Sequence, residues 1–150
     1  MRVGLDIGST TIKCVVIDDN NQIVFSLYRR HYSHIKENLL KILNEVNEQN
    51  IDLSDAYIGM SGSAGMGIAD AFGISFIQEV YATRVAANKY LNNVDCIIEL
   101  GGEDAKILFL TNGLEVRMNG TCAGGTGAFI DQMATLLNIS IDKMNEYASH

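Results

Sequence analysis

Cys122 is the residue of this 150-residue chain whose sequence neighbours most clearly indicate a reactive or ligand-binding side chain. Three glycines, Gly124, Gly125 and Gly127, follow it within five residues, and the apolar pattern of a helix begins directly afterwards. The unpaired N–H groups and positive dipole end of a helix N-terminus lower the pKa of a nearby thiol and suit an anion or an anionic metal cluster. The stretch therefore predicts a reactive or metal-binding thiol, or else a glycine-rich turn that encloses a small core cysteine.

Two acidic turns offer a second kind of chemistry. Asp6 and Glu99 each stand two residues before a glycine, at the ends of strands that we expect to be buried and adjacent. The backbone N–H groups and hydroxyls of such turns can hold phosphate oxygens, and the two carboxylates can hold Mg²⁺ through its water ligands. The candidate phosphate ligands are Gly8, Ser9, Thr10, Thr11 and Lys13 in the first turn, with Gly101 and Gly102 in the second.

Neither turn is a Walker A loop, because no G-x-x-x-x-G-K-[ST] string occurs in the chain. Each turn taken alone is typical of a plain hairpin. The two turns together with the Cys122 loop favour a site for a nucleoside triphosphate, where catalysis depends mostly on positioning and charge neutralisation.

Hydrophobic periodicity predicts the elements that must position these residues. Three antiparallel strands open the chain, and the second half begins as the first does, with a strand ending in an acid, a glycine turn and a further strand. This duplication predicts an α/β fold. The expected strands are 3–7, 12–17, 22–30, 56–60, 95–100, 105–110 and 114–118, and the expected helices are 34–49, a short one ending at 72, 79–91, 128–137 and 140–149. In helix 128–137 we expect burial of Phe129, Met133, Leu136 and Leu137.

The composition argues for a folded globular protein. Hydrophobic residues make up 47% and charged residues 19% of the chain. The net charge of -7, with no basic cluster longer than Arg29 and Arg30, argues against a nucleic-acid partner. The charged start of the chain and the absence of eighteen consecutive apolar residues argue against a secretory signal and a membrane span, so we expect a cytoplasmic protein.

The cysteine pattern excludes two common classes of small protein. The chain has three cysteines, an odd number, without C-x-x-C spacing, so neither a disulfide framework nor a self-contained zinc site is indicated. Cys14 and Cys96 lie within apolar stretches, and we expect both to be core residues.

Three motifs together carry a resemblance to a known family. Residues 6–13 (DIGSTTIK), 99–106 (ELGGEDAK) and 118–127 (MNGTCAGGTG) resemble the ATPase activators of 2-hydroxyacyl-CoA dehydratases and the ATP-binding subunits of benzoyl-CoA reductases. The sequences of residues 28–32 (YRRHY) and 118–121 look most like those of the large CoA-substrate-specific enzyme activases. The resemblance implies the ribonuclease-H-like fold of the actin and sugar-kinase ATPases, with a mixed sheet.

The resemblance also implies an activity. Such activators are homodimers that hold one [4Fe-4S] cluster between subunits, with two cysteines from each, and use ATP to send one low-potential electron to a dehydratase. A flavodoxin or ferredoxin is the implied electron donor. By this resemblance Cys122 is a cluster ligand, Asp6 holds Mg²⁺ near ATP or ADP, and the catalytic acids are Asp6, Glu99 and Glu103.

No cysteine follows Cys122, although the family's cluster needs a second one. We therefore expect these residues to be the N-terminal piece of a longer protein, with a first actin-like subdomain at residues 1–92 and the beginning of a second at 93–150. The piece alone is expected to be inactive.

Two other functions fit the same residues. A sugar or small-molecule kinase of the same superfamily would use the acidic turns and leave the Cys122 loop as a turn. A nucleotide-sensing domain would bind ATP without turnover.

Overall fold

The computed structural model describes residues 1–111, 113–120 and 126–149. The chain divides into two compact units, Met1–Ala86 and Ala87–His150. The elements in chain order are β1 (Arg2–Ile7), β2 (Thr11–Ile17), β3 (Ile23–Arg30), α1 (Ile35–Glu48), β4 (Tyr57–Ser61), α2 (Met66–Phe72), β5 (Ser75–Phe76), α3 (Glu79–Tyr90), β6 (Cys96–Leu100), β7 (Ala105–Phe109), β8 (Glu115–Met118), α4 (Gly127–Leu136) and α5 (Ile141–Ala148). The predicted order of elements is confirmed, and only the two-residue strand β5 was not anticipated.

The first unit is built on a five-stranded mixed sheet in the order β3-β2-β1-β4-β5. Strands β1, β2 and β3 are antiparallel, as predicted, whereas β4 pairs in parallel with β1. A parallel neighbour requires a crossover connection, and α1 supplies it between β3 and β4. The acidic end of β1 therefore lies in the middle of the sheet.

Alternating apolar residues place the core of this unit on one face of the sheet. Every second residue of β1 and β2 is buried, because side chains alternate between the two faces of a strand. Helix α1 adds Ile42 and Val46 at a spacing of four, which puts both on the same face of the helix. The buried cluster consists of Val3, Leu5, Ile7, Ile12, Cys14, Val16, Ile42, Val46, Met60 and Ala69.

The second unit contains a separate antiparallel sheet in the order β6-β7-β8. Strands β1 and β6 thus belong to different sheets, so the expectation that the two acidic turns end adjacent strands is wrong. The expectation that residues 95–100 form a buried strand is also wrong, since Ile98 and Leu100 are 68% and 58% exposed. Strand β6 is an edge strand, and only its face with Ile97 and Glu99 is partly covered by the described residues.

Helix α4 has the predicted position but not the predicted burial. Within α4 only Ala134 is buried, whereas Phe129 and Leu136 are 44% and 77% exposed, as is Leu137 just beyond it at 62%. Among the described residues the helix packs mainly on α5, and one neighbouring helix covers only one side of it. Among these residues, none of the helices is both long enough and apolar enough to cross a bilayer.

Candidate functional site

The β1–β2 hairpin of the first unit brings together the predicted residues of its turn. Strand register places Asp6 opposite Lys13, and cross-strand partners in an antiparallel pair point to the same face. The Lys13 ammonium donates to Asp6 Oδ2 at 2.6 Å. Lys13 also lies 5.6 Å from the centre of the Tyr28 ring, its partner on β3. One hairpin therefore presents a carboxylate and an ammonium beside the glycine turn.

The tip of this hairpin, residues 8–11, is closed by a backbone hydrogen bond. The Gly8 N–H donates to the Thr11 carbonyl at 2.9 Å, so this N–H is engaged within the hairpin. No described residue accepts from the N–H groups of Ser9 and Thr10. Both residues are half-buried, and their backbone N–H and hydroxyl groups can donate to an anion.

The β6–β7 hairpin of the second unit repeats this arrangement. Register places Glu99 opposite Lys106, and the ammonium lies 3.5 Å from Glu99 Oε1. The Gly101 N–H donates to the Asp104 carbonyl at 2.8 Å, as Gly8 does to Thr11. Gly102 is half-buried, whereas Glu103 is exposed at the tip.

Each hairpin leaves one carboxylate oxygen without a partner among the residues that the structure describes. Asp6 Oδ1 and Glu99 Oε2 are both enclosed, and neither has a hydrogen-bond partner within the described residues. An enclosed carboxylate oxygen without a donor is costly, so each marks a place for a water or a cation. The donor set fits Mg²⁺, which binds oxygen ligands and keeps several of its waters.

Lys106 and His31 are two residues whose contribution was not predicted. Lys106 is only 8% exposed, and its pairing could have been read from the seven-residue spacing between acid and lysine that both hairpins share. His31 is 2% exposed, and its ring contacts the Gly8 carbonyl at 3.0 Å. His31 and Gly8 are 23 positions apart in the sequence, and no local pattern indicates such a contact.

The three cysteines differ in their surroundings. Cys14 is buried, as predicted, and burial raises the pKa of its thiol to about 11, so the thiol stays protonated at neutral pH. Cys96 is exposed, so the expectation that it is a core residue is wrong, because it lies on the uncovered face of β6. Cys122 lies outside the described residues, as do Gly124 and Gly125. Among the residues described, no three His, Cys, Asp or Glu side chains are grouped to hold a metal ion.

Residues 3–150 match the BadF/BadG/BcrA/BcrD ATPase family. The chain belongs to this family. The family resemblance that the three motifs indicated is thereby confirmed, and both hairpin turns lie within the residues that match the family.

A curated relative and two solved structures agree with this membership. The (R)-2-hydroxyglutaryl-CoA dehydratase activating ATPase of Acidaminococcus fermentans is 28% identical over 96% of the chain, which spans 56% of that relative. The crystal structure of component A of the (R)-2-hydroxyglutaryl-CoA dehydratase from A. fermentans has a TM-score of 0.84 and 26% identity, over 97% of this chain and 57% of that one. The activator of the 2-hydroxyisocaproyl-CoA dehydratase from Clostridium difficile, with bound ADPNP, has a TM-score of 0.79 and 29% identity, over 93% and 53% of the two chains.

These likenesses confirm the predicted actin-like ATPase fold with a mixed sheet. The chain spans little more than half the length of each of these three family relatives.

Proposed function

We propose that the complete protein is an ATP-dependent activator that sends one low-potential electron through a [4Fe-4S] cluster to a 2-hydroxyacyl-CoA dehydratase-type enzyme. The observation that carries this proposal is the repeated acid–glycine–lysine hairpin in a chain of the BadF/BadG/BcrA/BcrD ATPase family. Two relatives of similar fold are a dehydratase component and a dehydratase activator, and the second was solved with bound ADPNP.

The nucleotide half of the proposal assigns ATP to the hairpin tips. Asp6 holds Mg²⁺ through its enclosed oxygen, and Lys13 neutralises phosphate charge beside it. Water then attacks the terminal phosphoryl group, giving ADP and phosphate, and the protein contributes mainly position and charge. The proposed catalytic acids are Asp6, Glu99 and Glu103, and the proposed phosphate ligands are Gly8, Ser9, Thr10, Thr11, Lys13, Gly101 and Gly102.

The redox half of the proposal rests on Cys122, five positions before the first residue of α4, Gly127. A helix N-terminus favours the negative charge of a thiolate-ligated cluster, and a bound cluster supplies one-electron transfer. Cys14 is unsuited to ligation because its thiol is buried and protonated. We propose that Cys122 and further cysteines outside the described residues hold the cluster between two subunits in the cytoplasm, and that a flavodoxin or ferredoxin reduces it.

The experiment compares two serine variants of the complete, anaerobically prepared protein. The wild type should be brown, and its visible absorbance should bleach on reduction. Cys122→Ser should abolish the absorbance and the iron content while leaving binding of Mg²⁺ and ADPNP unchanged. Cys96→Ser removes an exposed thiol and is the matched control, so this variant should stay brown.

Three results would contradict the proposal. A brown Cys122→Ser protein would remove Cys122 from the ligand set. A colourless wild type that phosphorylates a sugar would identify a kinase, and a colourless wild type that binds ATP without hydrolysis would identify a nucleotide sensor.

A further inference from the structure

His31 stands directly after β3 and is almost completely enclosed, at 2% exposure. Its backbone N–H donates to the Thr10 carbonyl at 3.2 Å, and its carbonyl accepts from the His34 N–H at 2.8 Å. The residue therefore connects the tip of the β1–β2 hairpin to the segment that begins α1. Buried polar groups with this many contacts hold a defined geometry.

The ring contacts of His31 define its tautomer. The Ser33 N–H donates to Nδ1 at 3.0 Å, so Nδ1 carries a lone pair and no proton. The proton of the neutral ring is then on Nε2, which donates to the Gly8 carbonyl at 3.0 Å. His31 is thus a neutral side chain that holds one carbonyl of the hairpin tip.

Holding the Gly8 carbonyl also fixes the direction of the next N–H. The peptide unit is planar and trans, so the Gly8 carbonyl and the Ser9 N–H point in opposite directions. With the carbonyl held towards His31, the Ser9 N–H is directed away from it. The Ser9 N–H is one of two N–H groups in the tip, with that of Thr10, that donate to no described residue.

The second hairpin holds its glycine carbonyls in the same way but with a different donor. The first N–H groups of α4, from Gly127 and Ala128, donate to the carbonyls of Gly101 and Gly102 at 2.8 and 3.0 Å. In both hairpins, therefore, a donor outside the hairpin binds the carbonyl of the first glycine in the tip. The equivalent carbonyl is thus held in both tips, by a side chain in the first and by a helix N–H group in the second.

We propose that His31 is a positioning residue that directs the Ser9 N–H at a phosphate oxygen by holding the Gly8 carbonyl. This role rests on the proposed function, since it assigns the tip to the triphosphate. His31 itself does not touch the nucleotide. Its contribution should appear in triphosphate affinity and not in binding of the nucleoside.

Two amide variants of the complete protein separate the two ring contacts. The side-chain amide of Gln lies near the position of Nε2, and that of Asn near the position of Nδ1. His31→Gln therefore keeps a donor for Gly8, whereas His31→Asn keeps only the contact with Ser33. We expect His31→Asn to weaken binding of Mg²⁺–ADPNP about three- to tenfold, as the loss of one hydrogen bond does, with adenosine binding unchanged. His31→Gln should bind Mg²⁺–ADPNP as the wild type does.

A second measurement needs no variant. The ¹⁵N resonances of the His31 ring should show a proton on Nε2 only, and the Ser9 amide resonance should shift when Mg²⁺–ADPNP is added. A proton on Nδ1, or equal ADPNP affinities of the folded Asn variant and the wild type, would overturn the role of His31 while leaving the ATP site intact. A wild type that binds no ADPNP would overturn both this role and the proposed function.

Discussion

At the scale of residues, the ion pair between Asp6 and Lys13 lies beside the β1–β2 turn and bears on both stability and ligand binding there. Both side chains are partly exposed, at 32% and 41%, so the ion pair contributes only about 0–1 kcal/mol to folding. Within the described residues the carboxylate keeps one enclosed oxygen without a partner, which is a feature of a binding site more than of a structural pair. Its chemistry should therefore be separable from its contribution to stability.

Asp6→Asn tests this separation. The amide keeps the shape of the side chain but removes the charge that the proposed Mg²⁺ site requires, so we expect ATP hydrolysis to fall about 100-fold or more. The midpoint of thermal unfolding should change little, because the ion pair that is lost is partly exposed and contributes little to stability. Steady-state hydrolysis and calorimetry measure the two effects.

The matched control for that variant is Asp19→Asn. Asp19 also forms one ion pair, with the N-terminal ammonium, but its side chain is 89% exposed. This variant should hydrolyse ATP at the wild-type rate. Equal activity of the Asp6 and Asp19 variants would exclude Asp6 from the catalytic site.

At the scale of elements, the turn after β4 supports the end of β1. The Ala64 N–H donates to the Ile7 carbonyl at 2.9 Å, immediately before the hairpin tip. Gly62 in this turn has φ +95°, and a Cβ there would overlap the Ile7 carbonyl and approach Asp6 Oδ1 to 2.6 Å. Only glycine leaves room at this point for both the backbone and the carboxylate.

Gly62→Ala should destabilise the protein by about 2–4 kcal/mol, since the added methyl group combines a disfavoured left-handed backbone with overlap. Gly67→Ala is the comparison. A Cβ at Gly67, within α2, meets no atom within 4 Å, and Ala favours a helix over Gly by up to about 1 kcal/mol. Urea unfolding should therefore give changes of opposite sign, and similar effects of both variants would show that the turn does not constrain the end of β1.

At the scale of the whole molecule, the two units differ in how much core each contains. All ten residues of the main buried cluster lie in the first unit. Among the described residues of the second unit, only Ala87, Leu108 and Ala134 are buried apolar residues. A unit with so little buried apolar surface gains little hydrophobic stabilisation.

We expect a fragment of residues 1–92, the proposed first subdomain, to fold by itself. It contains the whole of the main buried cluster and all of α3, whereas a fragment ending at residue 86 interrupts that helix. Circular dichroism should show cooperative thermal unfolding of fragment 1–92, and fragment 93–150 should show none. An unfolded 1–92 fragment would contradict the proposed boundary.

The sequence alone determined the order of the elements and the position of both acidic turns. Alternation of apolar residues, helical spacing and glycine turns are local signals, so β1 to β3, α1 and the two hairpins were predicted close to their bounds. The three motifs were also sufficient for the family, because each is contained in a short stretch.

Only the tertiary structure decided which elements share a sheet and which faces are covered. The parallel pairing of β4 with β1, the separate sheet of β6, the exposure of Cys96 and the contact of His31 with Gly8 all join or separate residues distant in sequence. A strand's apolar pattern shows that it can be buried, but burial requires another element over that face. Such contacts depend on the packing of whole elements, which the local pattern of a sequence does not specify.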